Sequence, residues 1–267
     1  MKRSLVLPRA GQLLVSTDLH GNLRDWRALR AVFEASPPDT HWVVLGDLVH
    51  GPDEQTARLK PQLYGFEDQS AELIDELFEL RERCADRVHF VLGNHDAGHV
   101  GFRHTAKFHT DEVEHLESKL TPRQHECAQQ LFSNALLAVV APCGVLMTHG
   151  SPGDALTSLA LLDGPLPPGP GNEERIVAIG ETLWCYGQRG EVSQRLLQRI
   201  SAETALDLRV VVHGHDRDES GWFIEGGNQA QPVIFGAPDA NKKYLCVDLA
   251  KHVESPEALE PSLRSLH

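Results

Sequence analysis

QLLVSTDLHGN, residues 12–22, holds a strand, a polar turn and the start of a helix in eleven residues. Leu13, Leu14 and Val15 form a continuous apolar run, which suits a strand covered on both faces. Asp18 and His20 follow at its carboxyl end, with Gly21 to allow a sharp turn and Asn22 to cap what comes next. A helix is expected over 22–35, because Leu23, Trp26, Leu29 and Phe33 fall on one face. Buried strand, polar turn and amphipathic helix together are the repeating unit of an α/β protein.

The unit recurs along the chain. HWVVLGD (41–47) reads as a strand and SAELIDELFELRER (70–83) as a helix with Leu73, Ile74, Leu77 and Phe78 inward. VHFVLGN (88–94) is another strand, followed by a polar, His-rich stretch to about 110. Thr121-Pro122-Arg123-Gln124 is a helix start, since Thr caps, Pro fits the first turn and Gln can close a capping box. LLAVVAP and GVLMTHG (136–150) read as strands paired around Cys143-Gly144. The Pro/Gly segment 164–171 reads as a loop, 173–184 and 190–201 as helices, and 208–216, 221–224, 231–237 and 243–249 as strands. Residues after Lys251 are expected to form a surface tail. Strands alternate with helices early and cluster late. The class is therefore mixed α/β, one domain over 1–267 with its motif core at about 12–250.

Composition narrows the possibilities. Apolar residues make up 41% and charged residues 24% of 267, ordinary for a soluble globular chain. The formal charge of −13 repels nucleic-acid backbones and anionic membranes, so neither is expected as a partner. An anionic substrate is still compatible, because bound cations can reverse the local field. The five cysteines are scattered and form no CxxC pair, which argues against a disulfide framework or zinc ribbon. With no signal peptide or long apolar run in view, a reducing cytoplasm is the expected location.

The chemistry sits at the strand ends. Asp18 and His20, then Asp47, then Asn94-His95-Asp96, then His149, then His213-Gly214-His215 each follow an apolar run, each beside glycine. In an open α/β sheet the carboxyl ends of the strands are where ligands bind. Carboxylate, imidazole and amide donors together suit first-row divalent metals, and the two oxygens of Asp47 could bridge two of them. Such a pair would clamp a phosphate and activate water near neutral pH. A lone Asp or His at a strand end is usually a cap or a turn residue; five in series are not.

In order and spacing from residue 13 to 216, these segments resemble the five motifs of the calcineurin-like metallophosphoesterase superfamily. Asp18-Leu19-His20-Gly21-Asn22 and the run from Gly221-Trp222 to Phe235-Gly236-Ala237-Pro238 look most like its phosphoprotein-phosphatase branch, which includes Ser/Thr phosphatases and bis(nucleosyl)tetraphosphatases. The resemblance implies a four-layer fold, a central β-sandwich flanked by helices. It implies two divalent metal ions, manganese first, with iron, zinc or nickel as other candidates. Asp18, His20 and Asp47 would bind one, and Asp47, Asn94, His149 and His215 the other. His95 would protonate the leaving alkoxide, with acidic Asp96 beside it, and metal-activated water would attack in line without a phosphoenzyme.

The sequence departs from that branch at two places. Its second motif continues as GDxxDRG, but here Gly46-Asp47 is followed by Leu48-Val49-His50-Gly51, so His50 replaces the Asp that orients the catalytic histidine and Gly51 replaces a phosphate-gripping Arg. Asp53 is one candidate for the lost carboxylate. Arg103, Arg189 and Arg217 are candidates for the lost arginine, with His50 and His213 as further substrate-side groups. His99, His104 and His109 could border the substrate. The expected activity is hydrolysis of phosphomonoesters, with phosphorylated Ser/Thr of proteins in view. The alternatives are a phosphoanhydride or phosphodiester hydrolase acting on nucleotides, and a metal-binding scaffold that has lost catalysis. The sequence leaves the oligomeric state open.

Overall fold

Successive side chains of a strand point to opposite faces, and that alternation sorts the apolar runs into layers. In β2 (Gln12–Ser16) and β3 (Thr40–Leu45), Leu13, Val15, Val43 and Leu45 face one way and Leu14, Trp42 and Val44 the other, and all seven are buried. The computed structural model describes residues 1–267. It places β2 and β3 in a five-stranded sheet with β4 (Val88–Val91), β10 (Lys243–Asp248) and β11 (Leu263–Ser265), in the order β11-β10-β2-β3-β4. A six-stranded sheet holds β1 (Ser4–Val6), β5 (Ala138–Ala141), β6 (Val145–Met147), β7 (Val210–Val212), β8 (Trp222–Glu225) and β9 (Gln229–Pro232), in the order β1-β5-β6-β7-β9-β8.

The two sheets pack face to face. The space between them is filled by a 19-residue apolar cluster that takes Leu13, Val15, Val43 and Leu45 from one sheet and Val139, Met147, Val210 and Val212 from the other. The outward faces are covered by helices. α1 (Leu23–Ala35), α4 (Ser70–Cys84) and α7 (Pro122–Ser133) cover the five-stranded sheet, and α8 (Glu173–Trp184) and α9 (Gly190–Thr204) cover the other. The result is the expected helix–sheet–sheet–helix stack. The capping signals hold: the Asn22 side chain accepts from the Asp25 amide, and Thr121 with Gln124 closes a capping box. Seven short helical elements were not legible: α2 (Glu54–Leu59), α3 (Pro61–Tyr64), α5 (Asn94–Ala97), α6 (Glu112–Glu117) and 3-10 turns at Gly98–Val100, Leu159–Leu162 and Pro256–Ser262.

Two expectations need correction, and one strand was not expected. Residues after Lys251 are not a loose surface tail: Val253 and Leu259 enter the inter-sheet cluster, and β11 pairs antiparallel with β10, Leu245 opposite Leu263. The strand expected at 231–237 runs instead over Gln229–Pro232, because β8 and β9 meet in a hairpin with Glu225 opposite Gln229. β1 was not foreseen. It pairs parallel with β5 and is anchored by buried Arg3, whose guanidinium donates to the carbonyls of Ser133, Ala135 and Gly164. No helix is long and apolar enough to cross a membrane, and all five cysteines are free thiols.

Candidate metal centre

β2, β3 and β4 run parallel in one sheet and β6 and β7 run parallel in the other. Their carboxyl ends meet at one rim, and the polar groups that follow each strand converge there. Turning so many chains over one point strains the backbone. Asp18, His20, Asp47, His50 and His215 all adopt positive φ, between 38° and 75°, and only one other non-glycine residue in the chain does so. Gly46 and Gly93 allow the closest approach, since a Cβ at Gly46 would meet the backbone of Gly93.

Asp47 is the hub. Its Oδ2 lies 3.5 Å from His20 Nε2 and its Oδ1 3.4 Å from His149 Nε2. Oδ1 also accepts the His95 amide at 2.9 Å. Asn94 Oδ1 lies 3.0 Å from His149 Nε2 and 2.8 Å from His215 Nδ1. Asp18 reaches across between the sheets, its carboxylate accepting the His215 amide at 3.1 and 3.2 Å. Two triads share Asp47: His20–Asp47–His95 and Asp47–His149–His215, with ligand-type atoms in each within 4.8 Å of one another. Asp18 adjoins these triads through His215 and belongs to neither.

The ring nitrogens test whether a cation pair fits. His149 Nδ1 donates to the Leu45 carbonyl at 2.7 Å and His20 Nδ1 to the His50 carbonyl at 3.0 Å. A carbonyl can only accept, so the proton sits on Nδ1 and Nε2 keeps its lone pair toward Asp47. Burial holds His20 and His149 below the ordinary imidazole range, which favours the neutral, ligating form. Burial, and then Asp47, raises Asp18 well above the usual carboxylate range. Burial pushes Asp47 up too, but positive charge at the positions facing it, on His149, His95 and His20, outweighs burial and holds Asp47 low, the role a bound cation would take over from a ring proton. Two buried carboxylates with neutral imidazoles around them form a donor set that a pair of cations would satisfy.

A profile of calcineurin-like phosphoesterases matches residues 11–217. The chain belongs to that family. No curated protein sequence matches it. Among solved structures, a protein serine/threonine phosphatase from Saccharomyces cerevisiae is similar over 92% of this chain and 76% of its own, with TM-score 0.63 and 18% identity. A cold-active protein-tyrosine phosphatase from a psychrophilic Shewanella is similar over 94% and 78%, with TM-score 0.56 and 14% identity. At such identities the likeness is one of fold.

Within this phosphoesterase frame the sequence expectations separate. The structure brings together Asp18, His20, Asp47, Asn94, His95, His149 and His215. Arg217 lines the cleft above them, about 500 Å3 in volume, and donates to the Tyr64 hydroxyl at 3.1 Å. Arg103 and Arg189 do not line it; both are exposed, and Arg189 precedes the first residue of α9. His50 is no substrate-side group: its carbonyl orients His20, while its buried ring stacks on His99 at 5.0 Å. His213 is fully buried and absent from the cleft lining. Asp96 does not reach the reacting end of the site. Its oxygens accept the amides of Leu48 at 2.9 Å and Gly93 at 3.0 Å, so it knits the second motif to the third. Burial, and then Asp47, raises its pKa to about 8. His104 pairs with Asp111 and His109 stacks on His115, so neither borders the cleft.

The lost carboxylate is replaced, though not by Asp53, which caps α2. It comes from Glu112 at the start of α6. Glu112 is fully buried, and its Oε2 lies 2.8 Å from His95 Nδ1, somewhat off the N–H direction. Its Oε1 accepts the amides of Lys107 and Phe108 at 3.1 and 2.8 Å. Burial raises the Glu112 pKa, but the bond and charge of His95 outweigh it and bring it to about 2. Lys107, unremarkable in the sequence, also lines the cleft, its ammonium 4.8 Å from the Phe235 ring centre. Glu112 and Lys107 carried no sequence signal. Lys107 lies in an irregular stretch and Glu112 opens a six-residue helix too short to show a period, and only the fold brings Glu112 to His95 and Lys107 to the cleft.

Proposed function

We propose that this family member is a two-metal phosphoesterase that hydrolyses phosphomonoesters, phosphorylated Ser or Thr of proteins among them. The observation that carries the reading is the convergence on Asp47 of His20, His95, His149 and His215, with Asn94 and Asp18 beside them, on the floor of an open cleft. Asp18, His20 and Asp47 would hold one divalent cation, and Asp47, Asn94, His149 and His215 the other. Bound there, the pair supplies Lewis-acid charge to the phosphoryl oxygens and activates water near neutral pH.

The chain's own residues supply the rest. Glu112, ionised at neutral pH, holds His95 by Nδ1 and leaves Nε2 to give a proton to the departing alkoxide. Lys107 and Arg217 bring two cationic groups to the cleft and stand in for the missing motif arginine as grips for the phosphoryl oxygens. With manganese bound, the protein should turn over p-nitrophenyl phosphate and a phosphopeptide. Turnover no greater than that of the metal-stripped protein would refute the proposal.

One observation supports a second reading, hydrolysis of nucleotide phosphoanhydrides. Tyr186 is 65% exposed at the cleft rim with its ring 4.8 Å from His215, and Trp184 is beside it. Such a platform can stack a nucleobase. Relative kcat/KM on dinucleoside polyphosphates and on the phosphopeptide separates the two.

A further inference from the structure

Two more clusters in the molecule bring an imidazole to a pair of carboxylates. One, Asp25 with Asp239 and His267, already contains its cation: Lys242 Nζ lies 2.7 Å from Asp25 Oδ2 and 2.8 Å from Asp239 Oδ1, and His267 closes on Asp25 at 2.8 Å. The other, His213 with Asp216 and Glu225, has no such partner. His213 is the one group paired with Glu225, at 3.5 Å, and neither carboxylate meets a lysine or arginine.

This second cluster is built like the ligands of the catalytic centre. His213 is 0% exposed, and its Nδ1 donates to the Gly214 carbonyl at 2.9 Å. The proton is thereby fixed on Nδ1 and the lone pair of the neutral ring is left on Nε2, the arrangement also found in His20 and His149. That Nε2 points toward Glu225, and both Nε2 and Glu225 Oε1 are shielded from solvent without a hydrogen-bond partner. Buried polar atoms are nearly always paired, so two unpaired atoms facing each other call for a third party. The ligand-type atoms of His213, Asp216 and Glu225 lie within 4.8 Å of one another. Gly187 makes room for them, since a Cβ there would run into the Glu225 carboxylate.

We propose that His213, Asp216 and Glu225 form a third divalent-cation site, separate from the pair around Asp47. One neutral imidazole and two carboxylates balance the charge of a dication, and the N and O donors suit zinc or manganese. The Glu225 side chain is 34% exposed, which gives the ion a way in and leaves a position for water. The role is structural. The ion fastens the end of β8 to the segment 213–217, which carries His215 and Arg217 into the cleft.

Zinc alone is the probe, on the full chain. After stripping with chelator and dialysis against zinc, mass spectrometry should count three ions per wild-type chain and two per Glu225→Gln chain. In Asp47→Asn protein, zinc should still raise the melting temperature, and in Asp47→Asn/Glu225→Gln it should raise it no longer. Glu225→Gln in chelator should melt with the wild type, which separates loss of the ion from loss of the fold; Asp216→Asn should lose the same ion should the first variant fold poorly. Crystals should give an anomalous zinc peak between His213 and Glu225. Unchanged zinc counts in both Glu225→Gln and Asp216→Asn overturn the proposal and leave an ordinary pairing of His213 with Glu225. If Glu225→Gln instead removes the only zinc the wild type takes up, this site stands and the two-metal reading falls.

Discussion

Glu112 sits where sequence logic had no reason to look. In the phosphoprotein-phosphatase branch that the sequence resembles, the orienting carboxylate would follow the second motif, and that position here holds His50, whose side chain is turned away into a stack with His99. A carboxylate from another element can do the same job because only its distance to His95 Nδ1 matters, and Glu112 brings that to 2.8 Å. Glu112→Gln keeps the bulk and removes the negative charge that faces His95 Nδ1, while the metal donors stay in place. The expected result is a kcat lower by roughly 10–100-fold with bound metal unchanged, less than the roughly 10²–10⁴-fold that a whole general acid contributes. Wild-type kcat in this variant would remove Glu112 from the mechanism. His95→Asn should cost more, on the order of 10²–10⁴-fold in kcat. Lys107→Ala should act differently. It removes a cation from the cleft without touching His95 or its partner, so KM for an anionic substrate should rise several-fold with a smaller change in kcat; a fall in kcat alone would place Lys107 elsewhere in the cycle.

At the scale of elements, what the sequence reveals depends on whether a signal is local. Strands β2, β3, β4, β6 and β7 are legible because each is an apolar run that ends in a polar group beside glycine, and α1 and α7 because each starts with its own cap. The same strand ends made the donors around Asp47 legible. β11 was missed because its three residues carry no period of their own and are specified by β10 across the sheet. β9 was misplaced because Val233, Ile234 and Phe235 are apolar and buried without being paired in the sheet, so apolarity alone set the wrong register. The C-terminal segment offers a direct check. Leu259 is 0% exposed and packs into the inter-sheet cluster, which a surface tail would not do. Leu259→Ala should destabilise the protein by about 2–5 kcal/mol in urea unfolding, the range for a buried Leu truncation. A change below about 0.5 kcal/mol, typical of a surface position, would return the segment to the surface.

Taken as a whole, the molecule holds its imidazoles in a state that acid should disrupt. Burial lowers the pKa of His20, His41, His50, His99, His115 and His149, brings His89 to about 4 and brings His215 to about 3. For each, the folded pKa lies below the unfolded value near 6.5, so between the two the unfolded chain binds the extra proton. Their stabilising contribution is complete above about pH 6.5 and is lost as the pH falls toward 4. Three carboxylates work the other way. Asp96, raised to about 8, Asp18, raised well above the usual range, and Asp216, raised by burial, keep protons in the folded state that the unfolded chain gives up, so their contribution is lost as the pH rises. Near pH 7 the two sets largely offset each other. Near pH 5 eight imidazoles outweigh three carboxylates, and each net proton is worth about 1.4 kcal/mol per pH unit. The metal-free protein should therefore melt at a steadily lower temperature from pH 7 to pH 5, and His89→Gln, which lies away from the metal centre, should make that slope shallower. Manganese should steepen it, because cations bind only the deprotonated ligands and protons compete with them as the pH falls. A melting temperature of the metal-free protein that stays level or climbs from pH 7 to pH 5 would mean that the buried histidines are charged in the folded state, and the neutral donor set on which a cation pair depends would not exist.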